Sequence, residues 1–88
     1  MTDTELLATF RREGMLPALV AAARLLNARG LEKHGVQGWR EHPADELRSK
    51  AIRHTSQAGT EDEDTGEDHA VCGLVRAMML VTVLEERK

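Results

Sequence analysis

The run Ala70-Val-Cys-Gly-Leu-Val-Arg-Ala-Met-Met-Leu-Val-Thr-Val-Leu84 decides how this chain folds. Val71, Leu74, Val75, Met78, Met79, Leu80, Val81, Val83 and Leu84 leave it almost no polar side, and it lacks the sustained alternation that a half-buried strand would show. It reads as a helix that continues to about Glu86. A helix that is apolar all round needs cover all round, so it is either the central helix of the fold or part of a subunit interface. Arg76 interrupts it, and it is too short for a membrane span.

The rest of the chain supports an all-α reading. Its 88 residues fit one domain, 1–88, with a small core. Hydrophobic residues make up 41 % and charged residues 31 %, which argues against a disordered chain. Aromatics are only 2 %, Phe10 and Trp39. A core of Leu, Val, Ala and Met suits close-packed helices better than a β-sandwich. A first helix is expected over about Thr4–Glu13, capped by Asp3 or Thr2 and stopped by Gly14. A second runs from Leu16, with Pro17 in its first turn, to about Lys33, with Leu16, Leu19, Ala23, Leu26 and Gly30 on one face. Gly35 and Gly38 break the chain around a loop carrying Trp39 and Arg40. Pro43 opens a third helix to about Gln57, on which Ala44, Leu47, Ala51, His54 and Ala58 share a face. The expected architecture is a four-helix bundle with the C-terminal helix the most buried.

Between the last two helices lies Glu61-Asp-Glu-Asp-Thr-Gly-Glu-Asp68, six of whose eight positions are acidic. Crowded carboxylates raise one another's cost of ionisation, so the cluster serves solvation, helix capping or cation binding. An EF-hand starting at Glu61 places Gly66 correctly at the sixth position but Cys72 at the twelfth, where a bidentate carboxylate is required, so that reading fails. Thr65-Gly-Glu-Asp68 has the pattern of a capping box for the fourth helix. If the third and fourth helices are antiparallel neighbours, the short connection brings His54 and His69 to one end of the bundle with Asp64 and Asp68 between them. His54, Asp64, Asp68 and His69 are then candidate ligands for Mg²⁺ or Mn²⁺. Lys33, Arg40 and Arg53 supply positive charge for a phosphate, and Arg40 beside Trp39 offers a forked donor next to a flat surface on which a base can stack.

The net charge of −3 and the absence of a basic stripe argue against direct DNA binding. The single cysteine, Cys72, excludes an internal disulfide and points to a reducing cytoplasm. Asp3 and Glu5 are unlike the basic start of a signal peptide.

Gly30-Leu-Glu-Lys33-His34-Gly35, Trp39-Arg40, Ala51-Ile-Arg53-His54, Gly59, Asp64-Thr-Gly66 and His69-Ala70, followed by a Leu/Met-rich helix, resemble in order and spacing the N-terminal domain of phage dATP/dGTP diphosphohydrolase. The resemblance covers about residues 20–86. It implies an all-helical domain that hydrolyses purine deoxynucleoside triphosphates to the monophosphate and diphosphate, cutting between the α- and β-phosphates. Arg53, His54, Asp64 and His69 are then site residues, with Lys33, Trp39 and Arg40 in support. On this expectation His54, Asp64 and His69 are catalytic and Lys33, Trp39, Arg40 and Arg53 contact substrate, in the host cytoplasm; the all-apolar fourth helix adds the expectation of a homo-oligomer through the C-terminal helix. The chain departs from the pattern at His34, where a tyrosine is expected, in the richness of its acidic loop, and in lacking paired Glu-x-x-Glu helices. The alternative is a non-catalytic phage module that binds a nucleotide or a host protein.

Overall fold

Thr2 starts the first helix by a reciprocal arrangement: its hydroxyl accepts from the Glu5 amide at 3.2 Å while the Glu5 carboxylate accepts from the Thr2 amide at 3.0 Å. A computed structural model describes residues 1–30 and 35–88. Within them lie four α-helices, α1 (Asp3–Arg12), α2 (Leu16–Leu25), α3 (Ala44–Thr55) and α4 (His69–Glu86), and no strand. The all-α architecture expected from the sequence is borne out. The only sheet-like pairing among the described residues is a single antiparallel bridge between Glu61 and Asp68.

Helix α2 widens over Leu26–Gly30 into a π turn, a departure from the even helix expected as far as Lys33, whose last residues lie outside those described. Its buried face also differs from the expected one. Ala22 and Leu25 enter the core, whereas Ala23 and Leu26 are exposed. The alanines at 21 to 23 make several faces of α2 nearly equivalent by pattern, and packing against α4 chooses among them. Helix α3 follows its expected face as far as His54: Leu47 is fully buried, with Ala44, Ala51 and His54 half-buried, whereas Ala58 lies beyond the helix, which ends at Thr55, and is exposed.

The core joins Ala22, Leu25, Leu47, Cys72, Val75 and Met79, with Trp39, Val71, Leu74 and Leu80 packed around it. Helix α4 supplies more of it than any other helix. Helices α3 and α4 pack together more extensively than any other pair of described helices, and Gly73 permits a close approach. A methyl at Gly73 would lie 2.5 Å from Thr55 Oγ1, 3.1 Å from Thr55 N and 3.2 Å from Ala51 O, so a residue with a Cβ fits here only if the Thr55 hydroxyl turns aside and the α3 backbone gives way. Within one chain α4 is covered on one side only: Met78, Val81 and Leu84 stay exposed. Helix α1 buries no residue at all.

The fourth helix starts later than the capping-box pattern suggested. Its N-cap is Asp68, whose carboxylate accepts from the Ala70 amide at 2.8 Å and the Gly59 amide at 3.0 Å. Thr65 instead donates to Asp62 at 2.9 Å inside the loop. Backbone bonds from Asp62 N to Glu67 O, Gly66 N to Asp62 O and His69 N to Thr60 O fold residues 60–69 back on themselves. Gly66, at φ +77°, makes the left-handed turn this requires. Helical geometry cannot begin until that turn is complete.

Candidate ligand-binding site

Because α3 and α4 run antiparallel from this tight connection, the last turn of one meets the first residue of the other. His54 and His69 approach with Nδ1 to Nδ1 at 2.8 Å, ring centroids 5.1 Å apart and planes 28° from parallel. One Nδ1 must carry the proton and the other the lone pair, so the contact needs at least one neutral imidazole. Burial depresses the His54 pKa, and the neighbouring Arg53 charge adds to that, with Asp62 pulling the other way. The pair is built to stay neutral on at least one side near pH 7.

His54 lies in the wall of a cavity of about 330 Å³ between α2, α3 and α4, within the range of small-molecule sites. Leu25, Val75, Met79 and Trp39 give it an apolar side. Its polar side carries Arg29, Lys50, Arg53 and Arg76 against Asp62 and Asp64. Lys50 is paired with Glu46 at 3.1 Å, and Arg29 with Asp64 at 3.2 Å. Arg53 and Arg76 have no carboxylate within ion-pair distance among the described residues; the one side-chain contact of the Arg76 guanidinium is Nη1 to Met79 Sδ at 3.9 Å. Burial pulls the Arg76 pKa down, offset in part by the Glu46 carboxylate, while the like charge of Arg53 adds to the depression. A half-buried guanidinium still ionised but short of an anion is a place for one to bind.

Burial pushes Asp62 up, but the Thr65 hydroxyl, the Asp64 amide and the Cys72 thiol donate to its carboxylate and together hold it below the ordinary range. Cys72 is pushed up, chiefly by burial, and stays a thiol.

His54, Arg53, Asp64 and Trp39 line the cavity, and His69 sits behind His54. Asp68 is occupied with capping α4. Arg40 is outside the cavity wall: it pairs with both carboxylate oxygens of Glu86 at 2.8 and 3.0 Å and lies over the Trp39 ring at 4.8 Å. It braces the turn Gly38–Glu41 against the end of α4. Lys33 lies outside the described residues. No group of three or more His, Cys, Asp or Glu is arranged to hold a metal ion among the described residues.

Asp62, Arg29, Lys50 and Arg76 were not singled out by the sequence reading. For Arg76 a signal existed, since it is the lone charge in the apolar run 70–84, where desolvation has to be compensated. For Asp62 the signal was Asp62-x-x-Thr65, a spacing suited to a side-chain-closed turn.

Compared with protein-family models, with curated proteins and with solved structures, the chain matches none. No described helix is long and apolar enough to cross a membrane.

Proposed function

We propose that the cavity between α2, α3 and α4 binds a small phosphate-bearing ligand of the purine deoxynucleoside triphosphate class. The observation that carries this reading is the presence of two guanidinium groups, Arg53 and Arg76, without carboxylate partners among the described residues, in one cavity with the Trp39 ring. Guanidinium forks match phosphate oxygens in pairs, and an indole wall offers a base a surface for stacking. The reading extends to hydrolysis between the α- and β-phosphates: water adds at the α-phosphorus, pyrophosphate leaves, and the water's proton passes to a neutral imidazole of the His54–His69 pair. Mg²⁺ or Mn²⁺, supplied with the nucleotide, would neutralise the charge of its phosphates. The setting is the cytoplasm, where Cys72 stays reduced.

The test is calorimetric titration of the protein with dATP and dGTP in Mg²⁺ or Mn²⁺, with pyrophosphate release followed in parallel. Arg76→Met and Arg53→Ala are expected to weaken binding, each by about tenfold or more, the loss that follows when a charge-assisted bond is removed. No binding of either nucleotide or of inorganic triphosphate refutes the reading. Binding without pyrophosphate release transfers it to a non-catalytic nucleotide-binding module.

A second reading concerns partners and rests on a separate observation, the exposure of Met78, Val81 and Leu84 on α4. It is self-association through the C-terminal helix.

A further inference from the structure

Among the described residues the amphipathic helix α1 adds nothing to the core of its own chain. Leu6, Leu7 and Phe10 form one stripe along it, as its helical spacing dictates, yet it buries no residue. Met78, Val81 and Leu84 form a second uncovered stripe at helical spacing on α4. All six side chains remain between 38 and 61 % exposed.

We propose that α1 of one copy packs on the uncovered face of α4 in a second copy, in a twofold dimer that makes this contact twice. The inference rests on the self-association reading and names its other half. Area supports it. The six side chains leave on the order of 500 Å² of apolar surface per copy, so two copies closing on one another remove about 1,000 Å², where specific association begins. Charge supports it as well. Among the described residues Arg11, one turn after Leu7, has no ion pair, and Glu85, one turn after Val81, is paired only with Lys88, at 3.1 Å on the exposed surface. Each stripe thus ends in a charge opposite to that of the other, in the same order along the chain, so parallel packing of α1 on α4 sets Arg11 against Glu85. Both halves lie on one chain, which is why a second copy satisfies both at once, as an isologous interface requires.

The test is the oligomeric state of the full chain by sedimentation equilibrium at micromolar concentration. The wild type is expected to be a dimer. Leu7→Glu and Val81→Glu are each expected to raise its dissociation constant by about tenfold or more. Because α1 contributes nothing to the core, Leu7→Glu is expected to retain the wild-type helical circular dichroism. Arg11→Glu weakens the dimer, and Arg11→Glu combined with Glu85→Arg restores it. A monomeric wild type overturns self-association and the pairing together. A dimer that survives Leu7→Glu but not Val81→Glu overturns the role of α1 while leaving α4 as the seam.

Discussion

Replacing Gly73 by alanine sets two effects of known size against each other. In an open helix interior the change would stabilise the protein by about 1 kcal/mol, because glycine is the poorer helix former. At Gly73 the new methyl would meet Thr55 Oγ1 at 2.5 Å, Thr55 N at 3.1 Å and Ala51 O at 3.2 Å. The hydroxyl can turn aside, but the two backbone atoms belong to α3 and give only if that helix moves. Overpacking of this kind costs about 1–3 kcal/mol, so the expected net result is a loss of about 1 kcal/mol. For a domain of this size that lowers the melting temperature by about 4–8 °C. Adding Thr55→Ala removes the closest contact and is expected to recover part of the loss, because the backbone contacts remain. The assay is thermal and urea unfolding of the variants followed by circular dichroism. A Gly73→Ala protein about 1 kcal/mol more stable than wild type refutes the close α3–α4 approach, and with it the geometry that joins His54 to His69.

Leu47→Ala truncates the most deeply buried side chain and is expected to cost about 2–5 kcal/mol in urea unfolding; a loss under about 1 kcal/mol would place the core elsewhere. Asp68, held below the ordinary carboxylate range by the Ala70 and then the Gly59 amide, contributes stability that is present above its unfolded pKa and is lost as pH falls through its folded one. Asp68→Asn keeps an acceptor for capping, so it is expected to flatten the decline in urea midpoint below about pH 4; an unchanged acid limb would exclude the cap as its source. His54, depressed by burial and by Arg53, contributes stability that is full above about pH 6.5 and falls as the solution is acidified from there. His54→Gln is expected to remove that decline between about pH 7 and 5, and an identical profile in the variant would mean that the pair does not titrate with folding.

The helices were legible because their signals are local. Thr2 and Glu5 cap α1, Pro17 sits in the first turn of α2, Pro43 precedes α3, and the apolar run Val71–Leu84 leaves α4 no other regular structure. The meeting of His54 and His69 was legible too, since a short connection between antiparallel helices fixes which ends adjoin. Local pattern could not choose the packed face of α2 among near-equivalent alanine faces, nor tell that Asp68 rather than Thr65 caps α4. The cap depends on backbone bonds that close residues 60–69, and the face on a neighbouring helix. The cavity is tertiary in the same sense. Lys50 and Arg53 come from α3, Arg76 from α4 and Arg29 from the end of α2, and no spacing along the chain relates these three segments. Arg40 illustrates the limit: next to Trp39 in sequence it reads as a ligand contact, yet the fold carries Glu86 to within 2.8 Å and ties it there. Sequence by itself determined which segments are helical, because capping and periodicity act over a few residues. Only the tertiary structure decided which charges share a cavity and which are already paired, because that depends on distances between segments far apart in the chain.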